Sequence, residues 1–194
     1  KAVHAGIGLF ALTLRWLDWR LAAAGAVAAL LVNVIVLPRI GRGLYRDPAA
    51  RHDAGIIAYP AMVAVLILVF SGKHIPIAAA VWAMMAFGDP AASIAGRTVG
   101  GRTLPWNSGK TWVGLLSNWA VGGAASVLVF LFVSRREPSA DAVAILMIGA
   151  AIYAFLESVR AGIDDNLVGA LPTALAVYQM SLAFPPPLLR LAEI

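Results

Sequence analysis

The chain has 194 residues, of which 61% are apolar and 13% charged, with a net charge of +5 and a mean hydropathy of +0.83. A soluble domain carries about 25% charged residues, so this composition excludes one and predicts an integral membrane protein. The lack of cysteine excludes disulfides and thiolate metal sites. The chain has no stripe of basic and aromatic residues outside the apolar runs, so the sequence gives no indication of nucleic-acid binding.

Seven apolar runs follow one another along the chain, and each is a candidate membrane-spanning helix. Such a helix needs about 20 apolar residues to cross the hydrocarbon. The runs cover residues 5–17, 20–37, 56–71, 75–87, 111–133, 142–161 and 167–184. The first run is short and contains Arg15, and the fourth is short unless it continues through residues 91–95 after a break. The pattern predicts an all-α fold: one polytopic transmembrane helix bundle over residues 1–194, with broken helices near the candidate functional site that the polar segments below form.

The loops between seven spans alternate between the two faces of the membrane, and the basic residues divide unequally. The first face receives nine of them, namely Lys1, Arg39, Arg42, Arg46, Arg51, Arg97, Arg102, Lys110 and Arg160. The second face receives six, namely Arg15, Arg20, Lys73, Arg135, Arg136 and Arg190. Because cytoplasmic loops are enriched in Lys and Arg, we expect the first face to be cytoplasmic. The use of Arg over Lys, with abundant Ala, favours a bacterial inner membrane.

The first polar segment runs from residue 88 to residue 110 and falls on the expected cytoplasmic face. Asp89 followed by Pro90 is a helix-start signal, with the acid as N-cap and the proline at the first helical position. Gly88 would let the preceding span break there. Asp89 is also a candidate metal ligand, because an acid deep in an apolar run is costly and is retained for function.

Glycines and cations fill the rest of this segment. Gly96 and Gly100 have the spacing of close helix packing. Together with nearby cations they favour a different interpretation, a phosphate cradle of backbone N–H groups and positive side chains. The cations are Arg97, Arg102 and Lys110.

Residues 108–111 read Ser-Gly-Lys-Thr and imitate the end of a P-loop. Leu104 stands where a P-loop has its first glycine, which excludes a Walker-type NTPase. Asn107 or Ser108 is expected to cap a helix that starts near Thr111, and the N-terminus of that helix would attract an anion.

The second polar segment, residues 157–166, falls on the same face. Glu157 could simply pair with Arg160 at i+3, and the residues after Gly162 could form only a turn and a cap. The other interpretation is a cluster of hard oxygen donors that suits Mg²⁺, formed by Glu157, Asp164, Asp165 and Asn166. With Asp89 from the first segment, a Mg²⁺–nucleotide site would be complete.

These two segments resemble the CTP-dependent polyprenol and lipid kinases, which include dolichol kinase, phytol kinase and a CTP-using diacylglycerol kinase. That family carries G-D-x-x-A-x-x-x-G-x-x-x-G, a K-[ST] pair that opens the next helix, and later a glutamate and a D-D-N turn before a proline. The matching residues are Gly88, Asp89, Ala92, Gly96, Gly100, Lys110, Thr111, Glu157, Asp164, Asp165, Asn166 and Pro172. Lys1 and His4 match a basic-x-x-His start. Val113 stands where the family often has glutamate.

The resemblance implies transfer of the γ-phosphate of CTP, or of another nucleoside triphosphate, to a membrane lipid alcohol of the phytol or dolichol type. It implies Mg²⁺ held by Asp89 and Asp165, with Asp164, Asn166 and Glu157 in support. The implied nucleotide-binding residues are Gly96, Arg97, Gly100, Arg102, Lys110 and Thr111. The catalytic candidates are Asp89, Lys110, Asp164 and Asp165, and the candidate bases are Asp164 first and His4 second.

Two other functions fit parts of the sequence. A cytidylyltransferase that forms a CDP-lipid is distantly similar, but its long signature is absent from the chain. A small membrane transporter would also use broken helices with polar residues. Its charges should lie near the middle of the membrane, whereas these acids lie at the ends of spans.

Overall fold

A computed structural model describes residues 6–40, 54–159 and 165–183, without the side chains of residue 54 and residues 165–167. In these ranges the chain forms seven helices: α1 (Gly6–Arg15), α2 (Trp19–Ile40), α3 (Ala54–Val69), α4 (Gly72–Thr98), α5 (Trp112–Ser134), α6 (Ala140–Ser158) and α7 (Asp165–Ala183). A small antiparallel hairpin, β1 (Thr103–Leu104) and β2 (Asn107–Thr111), joins α4 to α5.

The predicted all-α membrane bundle is confirmed. Four helices, α2, α4, α5 and α6, are long and apolar enough to cross a membrane, and shorter apolar helices lie within α1, α3 and α7. Large apolar side chains cover the outside of the bundle: Leu128 is 68% exposed, Leu21 64% and Phe155 51%. Such a surface is unfavourable in water and is expected where lipid surrounds the protein.

The helix α4 lies at the centre of the bundle. It packs against α1, α3, α5, α6 and α7. The side chains of Ala79, Ala80, Val81 and Ala83 are fully buried, as are those of the following residues up to Ala86. Because most of these side chains are small, the surrounding helices can approach the backbone of α4 closely.

The predicted break before Asp89 is wrong, because α4 continues through this point as one helix. Met84–Gly88 forms a π-helical turn, and Asp89 has helical dihedral angles (φ −60°, ψ −46°), so it is not an N-cap. Pro90 has no N–H, and its ring would crowd the carbonyl one turn earlier in a regular α-helix. A π-turn widens the helix at such a place and lets it pass the proline.

Elsewhere, polar side chains donate to backbone carbonyls of neighbouring helices. Pro60 lies inside α3 and cannot donate to the carbonyl of Ile56, and the Asn33 side chain of α2 donates to that carbonyl at 2.8 Å. Arg15 of α1 donates to the carbonyl of Phe132 in the last turn of α5 at 2.9 Å. These bonds attach α2 and α1 to the rest of the bundle.

Candidate active site

The hairpin begins with a glycine turn just after α4. Gly100 and Gly101 have φ values of +71° and +104°, a region that residues with a Cβ rarely adopt. The glycine turn leads the chain from α4 into β1, and a tight turn at residues 105–106 lets β1 pair with β2 before α5 starts. The hairpin was not expected from the sequence, because its strands are short and polar and show no clear alternation.

Thr111 is the N-cap of α5, since it is extended and its hydroxyl accepts a hydrogen bond from the Gly114 N–H at 3.1 Å. The expectation that Asn107 or Ser108 caps this helix is therefore wrong. Asn107 lies in β2 instead, where its side-chain oxygen accepts from the Gly109 N–H at 3.1 Å. The helix begins close to the predicted position, but its N-cap, Thr111, lies later in the chain than the predicted caps.

Two rows of residues, all small except Asn118, bring α4 and α5 together. The rows are Gly88, Ala92 and Gly96 on α4 and Gly114, Asn118 and Gly122 on α5, each spaced four residues apart. A Cβ at Gly88 would overlap the Asn118 side chain, and a Cβ at Gly96 would lie 3.1 Å from the Thr111 hydroxyl. Packing is therefore sufficient to explain the glycines at 88 and 96, and nucleotide binding by Gly96 and Gly100 stays a prediction.

A buried carboxylate joins α6 to both the hairpin and α5. Glu157 is only 7% exposed. Its Oε1 lies 2.9 Å from the Lys110 Nζ, and its Oε2 accepts a hydrogen bond from the Asn118 side-chain amide. The Lys110 ammonium also donates to the backbone carbonyl of Glu157. The partner of Lys110 thus lies 47 residues away along the chain.

The next residue of α6 holds the other side of the hairpin. The Trp106 indole N–H donates to the Ser158 hydroxyl at 2.9 Å, and the Asn107 amide donates to the Ser158 carbonyl at 2.9 Å. The Ser158 hydroxyl in turn donates to the Phe155 carbonyl at 2.6 Å. The hairpin therefore packs on the C-terminal end of α6, where the second polar segment begins.

Asp89 is half-buried and lies close enough to the Tyr59 hydroxyl of α3 for its charge to act on it. The Trp82 indole N–H donates to the oxygen of Tyr59 at 2.9 Å. An indole can only donate, so the tyrosine oxygen is the acceptor in this bond. This pair was not predicted from the sequence, because Tyr59 and Trp82 are simply residues of two apolar runs.

The other predicted residues divide into exposed and undescribed ones. Arg97 is exposed on α4 and donates to the carbonyl and the hydroxyl of Ser93, and Arg102 is exposed just before β1. Backbone positions put Asp165 and Asn166 in the first turn of α7, but their side chains are not described. Residues outside the described ranges include Lys1, His4, Arg160 and Asp164.

The predicted meeting of the two polar segments can be followed as far as Glu157. Lys110 of the first segment pairs directly with Glu157 of the second, and Gly88, just before Asp89, is linked to Glu157 through Asn118 of α5. Among the described side chains, no group of three His, Asp or Glu residues could hold a metal ion. The predicted Mg²⁺ site depends on Asp164 and on the side chain of Asp165, and it stays a prediction.

Comparisons with known proteins identify a set of plant kinases. The chain is 31% identical over 199 residues to the chloroplastic farnesol kinase of Arabidopsis thaliana, an alignment that covers 92% of this chain and 64% of that protein. It is 29% identical over 154 residues to the probable phytol kinase 2 of Glycine max, with 76% and 52% covered. It is 31% identical over 117 residues to phytol kinase 1 of Arabidopsis thaliana, with 57% and 38% covered.

The chain thus spans less than two thirds of the length of these relatives. No protein-family model matches it. No solved structure matches it significantly. The similarity to the farnesol and phytol kinases agrees with the motifs around Asp89, Lys110 and residues 164–166. The chain therefore resembles the farnesol and phytol kinases over most of its length.

Proposed function

We propose that this protein transfers the γ-phosphate of CTP to the hydroxyl of a polyprenol-type lipid alcohol. The observation that carries the proposal is the similarity to a farnesol kinase over 92% of the chain. Relatives named for farnesol and phytol support an isoprenoid alcohol as the acceptor. The preference for CTP over another nucleoside triphosphate rests on the resemblance of the sequence motifs.

The arrangement at the hairpin end of the bundle suits a bound triphosphate. Phosphoryl transfer depends mainly on positioning and on neutralising negative charge. Arg97 and Arg102 are exposed there, and the backbone of Gly100 and Gly101 is free of the bulk of side chains. The Lys110 side chain is 29% exposed and brings a further positive charge to the border of this region. We propose that the phosphates bind along this edge, with Gly96 and Thr111 beneath it.

Mg²⁺ is the proposed cofactor, with Asp89 and Asp165 as its main ligands and Asp164 and Asn166 in support. One feature of the described residues fits this donor set. The Asn118 Oδ1, beside Gly88, is a buried acceptor without a hydrogen-bond partner among the described residues. It lies against the residue that precedes Asp89, and amide and carboxylate oxygens are the ligands that a hard cation prefers. When bound, the ion would neutralise phosphate charge, and Asp164, or else His4, would take the proton of the lipid hydroxyl.

The lipid alcohol would approach from the bilayer. Apolar side chains near the site face outward, among them Ile94 (55% exposed) and Leu116 (52%). A prenyl chain can lie against them while its hydroxyl reaches the polar end of the bundle. We propose that this end faces the cytoplasm, as the distribution of basic residues predicts. The relatives carry the word chloroplastic in their names, which gives no support to the bacterial inner membrane expected from composition.

The direct test incubates the purified protein in lipid nanodiscs with Mg²⁺ and γ-labelled CTP or ATP. The lipid acceptors are farnesol, phytol, dolichol and diacylglycerol, each supplied separately. We expect label in the phosphate of an isoprenoid lipid, together with CDP. Release of pyrophosphate would indicate cytidylyl transfer instead. Label in no lipid with either nucleotide would contradict the proposal.

A further inference from the structure

We propose that Glu157 is a positioning residue rather than a metal ligand. Together with Lys110 and Asn118 it forms a unit that we call the Glu157 anchor. The anchor fixes the hairpin and the Asp89 segment of α4 relative to each other at the end of α6. Its catalytic meaning rests on the proposed function, but its geometry is a property of the folded chain and can be measured without activity.

Both carboxylate oxygens of Glu157 have donors from the protein. Oε1 pairs with the Lys110 ammonium at 2.9 Å, and Oε2 accepts from the Asn118 amide. Burial makes a charged carboxylate costly unless a cation and further donors compensate it, and these two partners do so. A Mg²⁺ ion at Glu157 would have to compete with the ammonium of Lys110 for the same carboxylate. The contacts therefore point to a carboxylate that holds protein elements together.

The Asn118 side chain links the anchor to Asp89. Asn118 is 1% exposed on α5. Because an ionised carboxylate only accepts hydrogen bonds, the NH₂ group of the amide must face Glu157, and its oxygen then faces Gly88. A side chain at residue 88 would overlap that oxygen. The backbone just before Asp89 thus lies directly against a residue that Glu157 orients.

The Lys110 side chain links the anchor to the hairpin. Lys110 lies at the end of β2, one residue before the N-cap of α5. The neighbouring Ser158 bonds Trp106 and Asn107 on the other side of the hairpin. Residues 157 and 158 of α6 therefore hold the hairpin at several points, and they fix where Arg102 and the glycine turn lie relative to Asp89.

The first test compares Mg²⁺ dependence and nucleotide kinetics in Glu157→Gln and Asp89→Asn. The amide of Glu157→Gln keeps an acceptor but loses the charge that holds Lys110. We expect the KM for the nucleotide to rise about tenfold, as for loss of residues that orient ligands, while the Mg²⁺ concentration for half-maximal activity stays within about twofold. A shift in Mg²⁺ dependence as large as that of Asp89→Asn would overturn the positioning role. We expect Glu157→Ala to raise the KM for the nucleotide more than Glu157→Gln does.

The second test measures geometry without any substrate. Because the chain has no cysteine, two spin labels can be attached at Ser108→Cys on the hairpin and Ile148→Cys on the exposed side of α6. We expect a narrow distance distribution in the parent and a broad one in Glu157→Ala. The exposed Glu137→Ala serves as the matched control and should leave the distribution narrow.

A narrow distribution in Glu157→Ala would overturn the anchor. If Glu157→Ala does not fold, the same distances in Glu157→Gln and Lys110→Gln give the answer, since each removes one charge of the pair and keeps a polar side chain. Failure of the proposed function would look different: no nucleotide and lipid pair would be turned over by the parent protein, while the label distances would still report on the anchor.

Discussion

The two halves of α4 have opposite surroundings although they belong to one helix. In the first half, Ala78, Ala79, Ala80 and Ala83 are at most 1% exposed, and helices pack around them. The second half, Asp89–Thr98, is mostly half-buried or exposed and carries polar side chains. The π-turn at Met84–Gly88 joins the halves. The contrast indicates that the first half of α4 carries stability and the second half carries the candidate site. Substitutions in the two halves should therefore have separable effects.

The largest effect is expected for Asp89→Asn in the second half. The change keeps the size of the side chain and removes the charge proposed to hold Mg²⁺, so turnover should fall by at least about a hundredfold. The thermal midpoint in detergent should change little, because Asp89 is only half-buried. The exposed acid at the start of α6 provides the control, and Asp141→Asn should retain parental turnover. Full activity of Asp89→Asn would remove the metal-binding role.

Gly88→Ala, at the junction of the halves, should affect both stability and turnover. The added methyl would overlap the Asn118 amide, and moving that amide would strain its bond to Glu157. Overpacking of this kind costs about 1–3 kcal/mol. Gly25→Ala in α2 is the matched control, since nothing lies within 4 Å of its added Cβ. Equal thermal midpoints for Gly88→Ala and Gly25→Ala would show that the α4–α5 contact is looser than described.

The sequence pattern predicted some features of the fold correctly and others wrongly, and the errors have physical reasons. The apolar runs and the position of the α5 start follow from composition and from the residues before Trp112. The Asp89–Pro90 pair has the chemistry of a helix start, but tertiary packing keeps α4 continuous, and a π-turn accommodates the proline. Short-range rules could not foresee this, because the cost of breaking a helix depends on the neighbours that bury it.

Long-range partners could not be read from spacing either. Glu157 has Arg160 at i+3 in the sequence, yet its described cation is Lys110, 47 residues away. Likewise, Gly88 and Gly96 match a family motif, but the residues that make glycine necessary there, Asn118 and Thr111, are recognised only once α4 and α5 are paired.

A substitution in the first half of α4 should lower stability without changing substrate affinity. Ala80 is fully buried at the centre of the bundle. Ala80→Leu would add three carbons where no space exists, at a cost of about 1–3 kcal/mol. We expect a lower thermal midpoint in detergent and an unchanged nucleotide KM for the fraction that stays folded. An increase in KM as large as that of Glu157→Gln would mean that the two halves of α4 are not separable.

The smallest effect concerns Tyr59, which connects the two halves. Tyr59→Phe removes the acceptor of the Trp82 N–H in the first half and the hydroxyl that lies near Asp89 in the second. A buried donor left without its partner costs about 1–3 kcal/mol, so the thermal midpoint should fall. Turnover should fall less than in Asp89→Asn, because the Asp89 carboxylate itself remains.

The control for this change is Tyr178→Phe in α7, whose ring contacts with Phe70 and His74 do not require its hydroxyl. It should leave both the thermal midpoint and turnover at the parental level. If Tyr59→Phe behaves like Tyr178→Phe in both measurements, the Tyr59 hydroxyl neither supports the packing of Trp82 nor influences Asp89. The link between the core half and the site half of α4 would then have to run through other contacts, such as that of Gly88 with Asn118.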